Sequence, residues 1–410
     1  MITRQSLLRT TLAVTLSGWA ATASAQQPKE VTIALIQPLS GPWARLGELS
    51  RKGAEVAVED VNNAGGIKAL GGAKLRLVVA DGGDAPDKFK NAAQRLLSQE
   101  PDIVGGIGAY VSSFTLAVTE VTERAGVPWL TLSYAPSITG RGFKHVFATS
   151  PTADQQAVDG MPAILALAEE ATGKKPKTTG IVMDNTPSPV GFTKNMRDGG
   201  LKKSYGLDLT VDEQFTPPLS DAAALMQKVR AARPEFLLLL LTATPDIKLT
   251  MEKLTEVGLP RSRMPVVNNG GVLGSPDLLR VMGKDILEGS LFITANWGAK
   301  GQEAFIEDFK KRTGELWITQ DSISNYGHVM LLAAALEKAG AADRAKVSQA
   351  MHELDLTDGA AKFFPGGRVK FSPNGLRENA PTVIVQWQNG VPVTVFPPSA
   401  AQAKAVWPKS

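Results

Sequence analysis

The stretch 31–66, VTIALIQPLSGPWARLGELSRKGAEVAVEDVNNAGG, sets the reading of the whole chain. Val31 to Ile36 form a continuous apolar run bounded by Pro38 and Gly41, the pattern of a strand buried on both faces. In 46–61, Leu46, Leu49, Gly53, Val56, Ala57 and Val61 then recur at helical spacing, and Gly65-Gly66 is the stop. A buried strand leading straight into an amphipathic helix is half of a βαβ unit.

Working outward, the same alternation continues. Strands are predicted at 74–80, 102–107 and 127–132, with helices at 87–99 (behind Pro86) and 112–124. The pattern restarts after Pro151. Strands at 179–183, 207–215, 236–241 and 265–267 alternate with helices at 154–172, 191–205, 221–232 and 247–257. A strand at 291–295 leads to helices at 302–312, 322–339 and 346–353. Strands at 383–387 and 391–396 close the chain around a Gln388-Asn389-Gly390 turn. The expected class is α/β, with two Rossmann-like lobes whose ligand sites lie at the carboxyl ends of the strands.

The beginning of the chain reads as a processing segment. Arg4 and Arg9 supply a positive region, 11–21 a short apolar one, and Ala23-Ser24-Ala25 a cleavage site, so 1–25 is expected to be a signal peptide. The apolar run is shorter than the roughly 20 residues a membrane span needs. Removing Arg4 and Arg9 lowers the formal charge from +4 to +2, which gives no reason to expect nucleic acid or direct membrane insertion. With no cysteine there is no disulfide framework or thiolate chemistry, and a core of this size does not require one.

Catalytic patterns are missing. His145, His328 and His352 are far apart and read as surface or packing residues, so no metal is expected. No G-x-S-x-G, H-E-x-x-H or Walker A pattern occurs, and no cofactor is expected. Gly106-Ile107-Gly108 stands where a dinucleotide fingerprint would, but Val111 occupies the third glycine position. The pair reads instead as a tight turn bringing backbone amides to a ligand. Asp81-Gly82-Gly83-Asp84 reads as a solvated turn.

Several segments together carry a resemblance: Ile36-Gln37-Pro38-Leu39-Ser40-Gly41-Pro42, Gly53-Ala54-Glu55-Val56-Ala57-Val58 and Asn62-Asn63-Ala64-Gly65-Gly66-Ile67. Gly108-Ala109-Tyr110-Val111-Ser112-Ser113, Ala125-Gly126-Val127-Pro128 and Phe147-Ala148-Thr149-Ser150-Pro151 follow, and later Glu288-Gly289 and Asn325-Tyr326-Gly327. In that order they resemble the branched-chain amino acid receptors, periplasmic solute-binding proteins of ABC importers with a type I, Leu/Ile/Val-binding-protein fold. The resemblance implies a first lobe of 29–150 plus 296–376 and a second of 151–295 plus 377–400. Three hinge crossings are expected near Ser150, Ala295 and Arg377. It also implies a periplasmic, monomeric protein that closes on a small-molecule solute and delivers it to membrane permease subunits.

By the same resemblance, Ser112 and the pair Ser133/Tyr134 stand where relatives grip a ligand carboxylate. Ser112 opens a predicted helix, whose first N–H groups favour an anion. The places that hold an α-ammonium are taken by Thr152, Val190, Ala243 and Gly270, none of them acidic. The chain therefore looks most like the branch that carries aromatic carboxylic acids. Arg45 is expected to clamp a carboxylate. Trp43, Tyr110, Tyr134 and Trp297 are candidates for aromatic walls, and Asp321 for accepting a hydroxyl or amine. The alternatives are a receptor for branched-chain amino acids or amides, a ligand sensor feeding a signalling partner, and an exported enzyme on the same scaffold.

Overall fold

A computed structural model describes residues 28–259 and 264–407; the expected signal peptide and its cleavage site lie outside them. The first sheet contains Glu30–Gln37 (β1), Lys74–Asp81 (β2), Gly105–Gly108 (β3), Trp129–Thr131 (β4) and Val146–Ala148 (β5). Its order is β2-β1-β3-β4-β5, with every pair parallel. Strand β5 is not among the predicted strands; its three residues are too short a run to show a period.

The second sheet contains Thr178–Asp184 (β6), Asp208–Phe215 (β7), Phe236–Leu240 (β8), Val266–Asn269 (β9) and Leu291–Thr294 (β10). A small ladder joins Asp355–Leu356 (β11) to Val369–Lys370 (β12). Val383–Gln388 (β13) and Val391–Phe396 (β14) then return to the second sheet. Its order is β14-β13-β10-β9-β8-β6-β7, parallel except where β13 pairs antiparallel with β10 and β14. Asn389 and Gly390 both take positive φ (57° and 81°) between β13 and β14, as the tight hairpin requires. The predicted helix 191–205 is two shorter ones, Pro187–Thr193 and Gly200–Tyr205. Asp198 and Gly199 between them sit at φ 53° and 81°, which an α-helix cannot absorb.

Helix Ala44–Asn63 buries the face read from the sequence, including Leu46, Leu49, Gly53, Val56, Ala57 and Val61. It lies against helix Gln320–Ala339, so the chain returns to the first sheet's side after β10. Strand order reverses between β1 and β3 in the first sheet and between β6 and β8 in the second. Those reversals splay the following loops apart and open a crevice at the strands' carboxyl ends. Among the described residues no helix is long and apolar enough to cross a membrane.

Candidate functional site

Both crevices open onto one another. The cavity between them is lined from the first lobe by Leu46, Tyr110, Val111, Ser112, Leu132 and Tyr134. The second lobe contributes Ser188, Leu241, Thr242, Asn269, Gly270, Gly271 and Val272, and helix Gln320–Ala339 contributes Gln320 and Asp321. Its empty volume is about 410 Å³, part of it continuous with solvent.

Contacts across the cleft hold it shut. Tyr110 donates its hydroxyl to the Thr242 carbonyl at 3.3 Å and Thr294 donates to Gln320 Oε1, an oxygen that also accepts from Tyr134 of Gln320's own lobe. The Ala295 amide donates to the same oxygen at 3.0 Å. The Gly270-Gly271 pair lets second-lobe backbone approach. A Cβ on Gly271 would stand 3.1 Å from Gln320 Cβ and 3.5 Å from Asp321 Oδ2. Gly270 also has φ 104°, which a side chain rarely tolerates.

The cavity is chemically lopsided. On one side helix Ser112–Arg124 begins, and its first N–H groups have no intrahelical acceptor. Ser112 Oγ accepts the Ala135 amide at 3.2 Å. On the other side Asp321 is buried, and neither carboxyl oxygen has a hydrogen-bond partner. Burial pushes its pKa up to about 7. Below the floor, Asp184 accepts the N–H and hydroxyl of both Thr186 and Thr242 at 2.5–2.9 Å. Burial still raises its pKa. Burial raises Asp246 to about 6, assisted by the charge of Asp184 and opposed by the Leu219 amide.

Of the residues singled out in the sequence, Tyr110, Ser112, Tyr134, Gly270 and Asp321 are brought together in this lining. The others lie elsewhere. Ser133 sits beneath it, its Oγ 2.7 and 2.8 Å from the carbonyls of Ala109 and Tyr110. Trp43 packs edge-on against Phe114 with ring centres 5.2 Å apart, and Trp297 against Phe292 at 5.0 Å. Thr152 faces a separate groove shared with Arg377, and Val190 is 43% exposed. Gly106 is in β3 rather than a turn, and a Cβ there would meet the Trp129 ring at 2.1 Å. Of the histidines, His328 is fully buried with Nε2 2.7 Å from Thr149 Oγ1.

Arg45 points away from the cavity. It holds Glu315 with two hydrogen bonds, of 3.1 and 2.6 Å, and pairs with Asp277 on the second-lobe helix Pro276–Met282. Lys52 joins Glu315 at 2.5 Å. Burial works to raise the Glu315 pKa, and the hydrogen bonds from Arg45 and Lys52 outweigh it. Arg45 therefore ties the lobes together at the cleft rim. An Arg45→Ala variant is expected to weaken every ligand alike, by about 1–2 kcal/mol, the scale of a partly buried charged pair. Affinities for a carboxylate and its amide, measured side by side, check this. A loss confined to the carboxylate would put the guanidinium on the ligand instead.

Sequence reading missed Leu46, Val111, Leu132, Ser188, Leu241, Thr242, Asn269, Gly271, Val272 and Gln320. The signal for some was present: Asn268-Asn269-Gly270-Gly271 and Leu241-Thr242-Ala243-Thr244-Pro245 each end a buried apolar run, where the strand-end rule puts ligands.

Two α/β lobes closed over one cavity at their facing strand ends define a type I, two-lobed binding protein. The periplasmic binding protein family model matches residues 30–391, and the chain belongs to that family. It is 30% identical over 402 residues to Leu/Ile/Val-binding protein homolog 7 of Brucella suis, covering 96% of this chain and 97% of that one. Its fold superposes on a leucine binding protein of Thermotoga maritima with a TM-score of 0.74 at 22% identity. That match covers 89% of this chain and 97% of the other. A solute binding protein of an R. palustris ABC transporter, in complex with benzoate, matches with a TM-score of 0.73 at 18% identity. There the coverage is 93% and 99%.

Proposed function

We propose that this chain is the periplasmic receptor of an ABC importer, a binding protein rather than a catalyst. It closes two lobes on a small carboxylate-bearing solute and presents the closed form to membrane permease subunits. The first lobe is 29–150 plus 296–376 and the second 151–295 plus 377–400, with crossings near Ser150, Ala295 and Arg377. Residues 1–25 act as the export signal, and the receptor works as a monomer. The observation that carries this reading is the cavity itself, drawn from both lobes, with a helix N-terminus at Ser112 to receive a carboxylate.

Two solute classes suit such a cavity. Leu46, Leu132, Leu241, Val272 and the tyrosines supply apolar and aromatic lining for an aromatic acid. Asp321 favours the second class, amino acids, because it supplies the negative charge absent from Thr152, Val190, Ala243 and Gly270. Relatives named for leucine, isoleucine and valine, and a fold neighbour holding benzoate, span the same two classes.

A thermal-shift screen of the chain beginning at Gln26 tests the reading against amino acids, aromatic acids, dicarboxylates and amides. A ligand at 100 times its dissociation constant adds about 2.7 kcal/mol of stability, enough to move the midpoint by degrees. A shift with aromatic acids alone selects the first class, and a shift with leucine or valine selects the second. Shifts confined to solutes without a carboxylate would remove the carboxylate reading.

A further inference from the structure

The side chains lining the cavity are accounted for except one. Tyr110 is bonded to the Thr242 carbonyl, Tyr134 to Gln320, Ser188 to Asn269 at 3.0 Å, and Asn269 to Gln156 at 2.7 Å. Thr242 donates to Asp184 at 2.8 Å, and Ser112 accepts from Ala135. Among the described lining residues, only Asp321 leaves both polar atoms without a partner while almost wholly buried, at 1% exposure. Among the described residues no lysine, arginine or histidine lines the cavity, so none of them neutralises it. A buried carboxyl in that state is costly until something donates to it.

We propose that Asp321 selects the solute, admitting molecules that bring an N–H or O–H donor against its carboxyl and excluding those that present only carbon. This rests on the cavity being the solute site. The titratable groups facing Asp321 are Tyr110 and Tyr134, both neutral phenols, and behind Tyr110 the carboxyl of Asp184. None contributes positive charge.

The two sources of such a donor leave different traces. Asp321 is pushed by burial to about 7, so below that pH it holds a proton. An ammonium needs the ionised form and expels that proton on binding. Its affinity therefore rises with pH up to about 7 and falls tenfold per unit below, about 100-fold weaker at pH 5. A hydroxyl donor meets an acceptor oxygen in either form, and its affinity changes little over the same range.

Calorimetric titration of the full chain with matched probes tests the assignment: leucine against 4-methylpentanoate, and 4-hydroxybenzoate against benzoate. The donor-bearing member of at least one pair is expected to bind tenfold or more tightly, and Asp321→Ala to erase that difference. Asp321→Asn keeps an acceptor oxygen, so it should retain a hydroxyl donor and lose an ammonium. A cavity-filling Val272→Trp variant, checked for folding by circular dichroism, separates the two readings. If it abolishes binding while Asp321→Ala still discriminates within a pair, the cavity stands and Asp321 is not the selector. If it leaves binding intact, the cavity is not the solute site and both readings fall. Equal affinity within each pair in the unaltered protein overturns the assignment outright.

Discussion

A Trp387→Ala variant should unfold with about 3–5 kcal/mol less stability than the unaltered chain, the range for removing a large buried aromatic. Trp387 is fully buried in β13. Its indole N–H donates to the Leu273 carbonyl at 2.9 Å, and its ring meets Trp317 edge-on at 5.4 Å. Trp317 in turn donates to the Gly274 carbonyl at 2.8 Å. Two indoles therefore clamp the turn Gly271–Gly274, which carries Gly271 and Val272 into the cavity. Alanine leaves a void, an unpaired buried carbonyl and a turn held from one side only. The loss should appear in urea unfolding followed by circular dichroism, together with weaker binding of whichever solute stabilises the unaltered protein. A loss below about 1 kcal/mol, under the usual range for such a truncation, would mean that the turn is supported by other contacts.

Gly53→Ala should also destabilise the chain, by less than Trp387→Ala, although it adds only a single methyl group. A Cβ at this position would lie 2.1 Å from the Ser322 carbonyl oxygen and 2.7 Å from its carbon, both of them backbone atoms. Helices Ala44–Asn63 and Gln320–Ala339 touch there, and Ser322 Oγ donates to the Leu49 carbonyl at 3.0 Å beside the contact. Neither helix can yield by rotating a side chain, so they must separate, and overpacking of this kind costs about 1–3 kcal/mol. Intrinsic helix propensity works the other way, favouring alanine by about 1 kcal/mol. The signs therefore oppose, and denaturant unfolding decides between them. Asp321 precedes the displaced residue, so binding should weaken as well. A variant as stable as the unaltered chain, with full affinity, would show that the two helices do not meet this closely.

The fold was legible because its evidence is local. Val31 to Ile36 and Phe236 to Leu240 are runs that only a doubly covered strand explains, and the face of 46–61 has a helical period. What escaped was short or interrupted: β5, with three residues, and the helix broken at Asp198-Gly199. Within the candidate site, Ser112 and Tyr134 were placed by the family resemblance, Ser112 also because it opens a helix after a strand, and Tyr110 as an aromatic wall beside it. Trp43, taken from the first strand-to-helix loop, and Thr152, carried over from the resemblance, lie outside, since a chain position does not say which way a side chain turns. Trp43 turns into the first-lobe core against Phe114, and Thr152 turns to the groove beside Arg377.

Arg45 and Asp321 mark the boundary most sharply. Alternation of buried strands and amphipathic helices, readable over a few residues at a time, determines two α/β lobes and where their crevices must open. Whether a charge is paired depends on residues brought close only by folding. Arg45 meets Glu315 and Asp277, far along the chain and in part from the other lobe, and is spent at the rim. Asp321 meets no partner and stays buried in the cavity. Neither outcome has a local signature, because a side chain's electrostatic surroundings belong to the packed structure and not to its neighbours in sequence.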